Sequence, residues 1–270
     1  MSNILNEILA KRKQTVSQLK QIVPMEAWEM MPDYSKKTIS LKKILQNEST
    51  TGIIAEFKRA SPSKGIINDR ADVNDVTGDY EFFGAAALSV LTEPLFFGGD
   101  NDDLLNAAIT ATIPILRKDF IFDKYQITES KALGADIILL IAACLKPNEV
   151  KDLAIFARHL KLEVLLEIHR EEELEHICDE IDFVGVNNRD LKTFTVDINR
   201  SIELSKKIPA DKIKISESGI DKTETIKILK EADFKGFLMG EHFMKEKNPG
   251  KAFEKFVKKA DSDTVPDVLV

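Results

Sequence analysis

The stretch that decides the fold is TGIIAEFKRASPS, residues 51–63. It begins with apolar residues rich in β-branched side chains, which is typical of a strand covered on both faces. Glu56 and Lys58 follow two positions apart, and because side chains alternate across a strand, the two charges share one face. The turn SPS at 61–63 then carries hydroxyl groups. We interpret the stretch either as a buried strand that ends in a catalytic pair or as an ion pair at the edge of a sheet.

Short apolar segments repeat this pattern along the chain, with amphipathic helical patterns between them, which is the rhythm of βα units. Eight strands with intervening helices predict an α/β fold, a (β/α)8 TIM barrel. A doubly wound open sheet is the alternative, but it usually has fewer strands, and no glycine-rich dinucleotide turn follows the first strand. The strands predicted after the first are residues 86–92, 113–118, 136–142, 164–168, 183–187, 212–217 and 236–239.

An extra helical segment precedes the barrel. Ile4, Leu5, Ile8 and Leu9 form a helical stripe that predicts a helix over residues 3–21, and a shorter helix is expected over 40–46. We therefore expect residues 1–270 to form a single barrel domain in which residues 1–48 are an N-terminal helical extension.

Composition limits the classes of function. The 270 residues are 43% hydrophobic with a net charge of −7, so there is ample core and no general attraction to nucleic acid or an anionic membrane. The longest apolar run, at 137–145, is far short of the roughly 20 residues that span a bilayer, and the N-terminus lacks a secretory signal. We expect a cytoplasmic protein without metal, because its histidines lack metal-ligand spacing, and with Cys144 and Cys178 as reduced thiols.

Polar side chains stand at the predicted carboxyl ends of the strands, where barrels of this type hold their active sites. Each one alone has a structural explanation, such as a solvated lysine or a helix cap. Together they indicate an active site, because buried charges are costly unless they pair or function. The strand-end residues are Glu56, Lys58, Lys118, Glu167, Asn187, Arg189, Glu217, Ser218 and Gly240.

The last two strand ends also indicate a phosphate site. ESGI at 217–220 and LMGE at 238–241 follow strands seven and eight, where barrels commonly bind phosphate through backbone N–H groups. Glycine permits the close approach that such a contact needs. Phe97, Phe120 and Leu191 lie just beyond strand ends, where they either form the apolar wall of a pocket or pack within loops.

Six segments resemble the indole-3-glycerol-phosphate synthase family. They are IIAEFKRASPSKG (53–65), SVLTEPLFFGG (89–99), ILRKDFI (115–121), LLEIH (165–169), GVNNRDL (185–191) and SESGI (216–220), and the match runs from about residue 4 to 256. The resemblance implies ring closure of 1-(2-carboxyphenylamino)-1-deoxyribulose 5-phosphate to indole-3-glycerol phosphate, with loss of CO2 and water. It also implies a cofactor-free enzyme whose N-terminal extension helps to cover the barrel mouth.

The same resemblance implies roles for the strand-end residues. Lys118 is expected to be the general acid for ring closure, and Glu167 the carboxylate that stabilises the cation that follows. Glu56 and Lys58 are expected to complete the dehydration and to hold a substrate anion, with the division of acid and base roles between Lys58 and Lys118 left open. Asn187, Glu217 and Ser218 complete the catalytic set, and the expected substrate and phosphate contacts are Ser61, Phe97, Phe120, Arg189, Leu191, Gly219, Gly240 and Glu241.

Two other classes of function remain open at this stage. One is a different phosphosugar barrel enzyme, such as an isomerase or a Schiff-base aldolase that uses Lys118. The other is a barrel that only binds a ligand or serves as a partner subunit, which predicts dispensable charges at the strand ends. The expected partner is a small phosphorylated substrate, with no nucleic acid and no membrane, and the sequence is compatible with a monomer. One departure from the family pattern is the bulky pair His242 and Phe243 after the last strand.

Overall fold

A closed barrel of eight parallel strands forms the centre of the computed structural model, which describes residues 4–47, 49–190 and 193–262. Each strand pairs with the next one along the chain, and the last pairs with the first, with Ile53 opposite Phe237. This closure confirms the predicted (β/α)8 barrel and excludes the open sheet. The strands are Ile53–Phe57, Ala87–Leu91, Ile115–Lys118, Ile137–Ile141, Glu163–Ile168, Phe183–Asn187, Ile213–Glu217 and Phe234–Met239.

Helices precede the barrel, connect its strands and end the described chain. The predicted second helix begins at Leu41, where Ser40 caps it by accepting a hydrogen bond from the Lys43 backbone N–H at 3.2 Å. The helices, including short 3₁₀ turns, are Ile4–Ile22, Met25–Glu29, Pro32–Ser35, Leu41–Leu45, Val73–Phe82, Pro94–Phe97, Asn101–Thr110, Lys124–Ala132, Ala142–Cys144, Pro147–His159, Glu171–His176, Asn199–Ser205, Thr223–Glu231, Glu241–Met244 and Pro249–Ser262.

Side-chain alternation divides each strand between two cores. Residues that point into the barrel, such as Ile54, Leu165 and Ile215, pack in one apolar cluster. Their neighbours, such as Ile53 and Val164, pack in a second cluster against the surrounding helices. The inward register continues to the strand ends, so it decides which of the terminal side chains face the barrel axis.

The N-terminal extension contacts both ends of the barrel. Leu5 and Ile8 of the first helix line the cavity at the carboxyl ends of the strands. The short helix Leu41–Leu45 lies at the opposite end, because its Leu41 backbone N–H donates to Glu163, the first residue of the fifth strand, at 2.9 Å. Leu45 packs in the same cluster as the inward-facing strand residues. This segment therefore closes the barrel floor, while the first helix borders the mouth.

Candidate active site

The predicted site residues meet in one cavity at the carboxyl ends of the strands. Leu191 lies outside the described residues. All the others line the cavity: Glu56, Lys58, Ser61, Phe97, Lys118, Phe120, Glu167, Asn187, Arg189, Glu217, Ser218, Gly219, Gly240 and Glu241.

The first strand brings an ion pair into this cavity. Lys58 Nζ lies 2.7 Å from Glu56 Oε1, and the two side chains are only 14% and 5% exposed. Ser89 of the second strand donates to the other carboxylate oxygen of Glu56 at 3.4 Å. Because the first strand has partners on both sides, it is no sheet edge, so the interpretation of this pair as an edge ion pair is wrong.

Lys118 occupies the centre of the charged cluster. Its Nζ lies 3.0 Å from Glu167 Oε2 and 3.4 Å from Glu217 Oε2. Burial alone would lower the pKa of Lys118, but the carboxylates of Glu167, Glu217 and Glu56 together raise it above its ordinary value. The amine is therefore held as an ammonium ion, which is the form that donates protons and stabilises negative charge.

The two carboxylates beside Lys118 have different environments. Burial raises the pKa of Glu217 above its ordinary value, and although Lys118 opposes this, Glu167 and Glu56 add to it. Burial also acts to raise the pKa of Glu167, but Lys118 and His169 outweigh it and hold the pKa below its ordinary value. Two carboxyl groups whose pKa values are driven apart can act as a proton donor and an anion in the same site.

The Glu217 side chain packs against Gly185 of the neighbouring sixth strand. A Cβ atom at position 185 in the sixth strand would lie 2.2 Å from Glu217 Oε1, so only glycine fits there. That oxygen has no hydrogen-bond partner among the described residues. Glu217 therefore lines the cavity with Oε1 buried against Gly185 and Oε2 lying 3.4 Å from Lys118 Nζ.

The predicted phosphate contacts form a polar corner of the cavity. Arg189 lies 3.0 Å from Glu241 Oε2 and donates to Ser63 Oγ at 3.4 Å. Ser218 and Gly219 both have positive φ, of 67° and 74°, which turns the backbone sharply after the seventh strand. Because Glu241 is itself an anion that pairs with Arg189, the donors left for a phosphate in this corner are Arg189, serine hydroxyls and backbone N–H groups.

Gly240 and the bulky pair after it occupy different environments. A Cβ at position 240 would lie 2.8 Å from the Cβ of Glu56, so the glycine leaves room for that carboxylate. His242 lines the cavity. Phe243 is fully buried and turns away into an aromatic cluster with Tyr80, Phe253 and Phe256. Of the two bulky residues that depart from the family pattern, Phe243 therefore packs in the core, and only His242 lines the cavity.

Apolar side chains also line the cavity. The rings of Phe97 and Phe120 lie with their centroids 6.0 Å apart and tilted by 41°. Phe194 also lines the cavity, and it was not predicted because it does not directly follow a predicted strand end. With Leu5 and Ile8 from the first helix, these residues can exclude water from an aromatic ring.

Sequence reasoning also missed a buried ion pair beside Lys118. Arg12 of the first helix donates from Nη2 and Nε to the two carboxylate oxygens of Asp119, at 2.6 Å and 3.0 Å. Burial would raise the pKa of Asp119, but Arg12 and Arg117 hold it below its ordinary value. The helical spacing could have indicated that Arg12 is buried, because Arg12 lies on the same face of the helix as Leu5 and Ile8 and is buried with them.

The described residues offer no grouping of three or more histidine, cysteine, aspartate or glutamate side chains arranged for a metal ion. None of their helices has the length and hydropathy to cross a membrane. Cys144 and Cys178 are free thiols, as expected. The absence of a cofactor stays a prediction.

A comparison with protein families matches residues 5–256 to the indole-3-glycerol phosphate synthase model. Among curated relatives, the indole-3-glycerol phosphate synthase of Bacteroides thetaiotaomicron is 45% identical over 258 residues, covering 96% of this chain and 99% of the relative. That of Campylobacter jejuni (strain RM1221) is 43% identical, covering 93% and 98%.

Solved structures with low sequence identity share the fold. The tryptophan synthase subunit alpha of Legionella pneumophila superposes with a TM-score of 0.60 at 15% identity, covering 83% of this chain and 97% of that chain. At 15% identity this similarity supports a shared barrel fold and says nothing about function. The family match and the curated relatives go further, since they cover nearly the whole chain: it belongs to the indole-3-glycerol phosphate synthase family.

Proposed function

We propose that this chain closes the indole ring of 1-(2-carboxyphenylamino)-1-deoxyribulose 5-phosphate in the cavity described above, releasing CO2 and water, as a carboxy-lyase of tryptophan biosynthesis. The observation that carries the proposal is the Lys118 ammonium group, set between Glu167 and Glu217 within one cavity. The cavity is lined by apolar side chains as well as by hydrogen-bond donors such as Arg189, which suits a substrate with an aryl ring and a phosphate.

Ring closure is the step for which Lys118 is suited. The aryl carbon that bears the carboxylate attacks the ketone, and the carbonyl oxygen gains negative charge. An ammonium group at this oxygen stabilises the charge and donates the proton that makes it a hydroxyl. The Phe97 and Phe120 rings would hold the aryl group in the orientation for attack.

Decarboxylation and dehydration follow through cationic intermediates. Loss of CO2 restores the aromatic ring, and the new hydroxyl then leaves as water with a proton from an acid. A base removes the last proton from carbon, so the sequence is balanced without any exchange of electrons with another reactant. Glu167, held as a carboxylate by Lys118, would stabilise the cation.

Two groups are placed to supply the acid and base of the dehydration. Lys58 is paired with Glu56 at the first strand end. Glu217 favours its protonated form and lines the cavity. We assign Glu56 and Lys58 to the final proton transfers and to substrate binding, and Glu217 with Asn187 to the hydroxyl groups of the substrate.

Lys118→Ala tests the assignment. A positioned general acid contributes about 10²–10⁴-fold, so kcat of the folded variant should fall by that factor. Because Glu167 and Glu217 lose their cation, kcat is compared at a temperature at which circular dichroism shows both proteins folded. Lys151→Ala, at an exposed position on the helix Pro147–His159, is the matched control and should keep full activity. A Lys118→Ala enzyme within a few-fold of the parent would rule out the general-acid role.

A Schiff-base aldolase that uses Lys118 is the competing function. Its lysine must be neutral to attack a carbonyl, whereas the carboxylates around Lys118 favour the charged form. Borohydride treatment with the substrate, followed by mass spectrometry, separates the two. We expect no adduct, and a covalent adduct on Lys118 would refute the synthase mechanism.

We propose a monomer that acts in the cytoplasm on its small phosphorylated substrate and has no nucleic-acid partner. Sedimentation velocity over a range of concentrations tests the monomer, and a dimer that persists on dilution would refute it.

A further inference from the structure

A buried histidine lies directly behind Glu167. His169 is 6% exposed, and its Nε2 is 3.4 Å from Glu167 Oε1. On the other side of the ring, Nδ1 lies 3.7 Å from Glu173 Oε2. Neither ring nitrogen has a closer hydrogen-bond partner among the described residues. The imidazole is thus placed between two carboxylates, one of which faces the active site.

His169 comes directly after Ile168, the last residue of the fifth strand. Its ring stands beside the carboxylate of Glu167, two positions earlier. Lys118 already occupies Oε2 of Glu167 at 3.0 Å, which leaves Oε1 for the histidine. A buried ring nitrogen without a partner is costly, and the carboxylates of Glu167 and Glu173 are the charged groups that lie nearest to the two nitrogens of this ring.

Glu173 is a firm anchor for the far side of the ring. It is 5% exposed, and its Oε2 accepts the backbone N–H of His169 at 2.6 Å. The short helix that carries it, Glu171–His176, is tied down by a 3.0 Å hydrogen bond between His176 Nε2 and the Leu145 carbonyl oxygen. Burial would raise the pKa of Glu173, but the adjacent His169 imidazole and the hydrogen bond from the His169 backbone N–H outweigh it and hold the pKa below its ordinary value.

We infer that His169 is a positioning residue for the reaction: supported by Glu173, it holds Oε1 of Glu167 so that Oε2 stays on Lys118. The inference rests on the proposed role of Glu167 as the catalytic carboxylate. His169 acts only through Glu167 in this account, so it changes the rate of the chemical step and leaves substrate binding almost unchanged. Without it, the Glu167 side chain gains rotamers in which its contact with Lys118 is lost.

Three substitutions of His169 separate hydrogen bonding from packing. His169→Gln keeps a donor near the position of Nε2, His169→Asn keeps one near Nδ1 only, and His169→Leu keeps neither. We expect His169→Leu and His169→Asn to lose roughly 10- to 100-fold in kcat with KM within about 3-fold, the range that a lost hydrogen bond to a charged group supports. His169→Gln should recover most of kcat.

Thr77→Val is the control for loss of a buried polar group. Thr77 is 2% exposed, donates to the Val73 carbonyl oxygen at 2.7 Å within the helix Val73–Phe82, and does not line the cavity. This variant is expected to lower the melting temperature while kcat stays within about 3-fold of the parent enzyme. Thermal unfolding of every variant is followed by circular dichroism, so a folding defect is measured separately from kcat.

The decisive comparison is a double-mutant cycle with Glu167→Gln. If Glu167 is the group through which His169 acts, His169→Leu should have almost no further effect on kcat in the Glu167→Gln background. A His169→Leu enzyme with parental kcat, or a folded His169→Gln enzyme as slow as His169→Leu, would overturn the inference. If Glu167→Gln itself keeps parental kcat, the proposed function of Glu167 is what fails.

Discussion

Arg12→Met removes one partner of the buried ion pair that joins the first helix to the third strand. Arg12 and Asp119 have side chains 7% and 0% exposed, and two hydrogen bonds connect them. Loss of one partner of a buried pair costs about 3–5 kcal/mol, because the other charge stays buried. Asp119 retains Arg117 at 3.2 Å and Thr92 at 2.6 Å, so we expect the low end, about 3 kcal/mol.

The assay is thermal unfolding at a fixed scan rate. For a chain of this size, about 1 kcal/mol corresponds to roughly 2–4 °C, so Arg12→Met should lower the melting temperature by about 6–12 °C at pH 7. Folding holds the pKa of Asp119 below its ordinary value of 3.8, so this stabilisation is present above that pH and is lost as the pH falls through the folded-state pKa. The difference between the variant and the parent should therefore shrink in acid.

Lys20→Met is the matched control on the same helix. It removes an ion pair with Asp123 at 2.8 Å whose side chains are 42% and 31% exposed, and exposed pairs contribute little. We expect a change in melting temperature within about 2 °C. The reasoning is refuted if Arg12→Met melts within 2 °C of the parent, or if both variants lose the same stability.

Two further predictions concern the cavity. Gly240→Ala places a Cβ 2.8 Å from Glu56, so kcat should fall about tenfold or more because that carboxylate must move. The control is Gly78→Ala, in the helix Val73–Phe82, where nothing lies within 4 Å of the new Cβ and kcat should be unchanged. Equal kcat values for the two variants would contradict the steric argument. Glu217→Gln should abolish most activity, and its melting temperature relative to the parent should rise between pH 4.5 and about pH 8. A carboxyl group whose folded-state pKa is raised to about 8 stabilises the fold fully below its ordinary pKa and loses that stability as the pH rises through the folded-state pKa; a difference in melting temperature that stays the same between pH 4 and pH 8 would contradict this sign.

The strand ends were predictable because side-chain alternation is strict. Once Glu56 is assigned to a strand that faces the barrel axis, Lys58 follows, and the same rule places Lys118, Glu167 and Glu217 around one cavity. The eighth strand begins at Phe234, two residues before the predicted start, because exposed Lys235 between two buried residues interrupted the apolar run. Its carboxyl end, which is the functional one, was predicted correctly.

The missed residues depend on contacts between distant parts of the chain. Arg12 and Asp119 are 107 positions apart, and no local pattern relates them. Likewise, the partnership of Arg189 with Glu241 exists only because the sixth and eighth strands end at the same rim. His169 follows a predicted site residue by two positions, but its role depends on Glu173, whose carboxylate returns to it through a short helix.

The most direct test of the account is the fluorescence of the indole ring formed from 1-(2-carboxyphenylamino)-1-deoxyribulose 5-phosphate by the purified chain. We predict that the parent protein produces indole-3-glycerol phosphate and releases one CO2 for each indole ring, with the rate reduced about 10²–10⁴-fold in Lys118→Ala. A folded parent protein that forms no indole from this substrate, or a Lys118→Ala variant that forms it at the parental rate, would contradict the account.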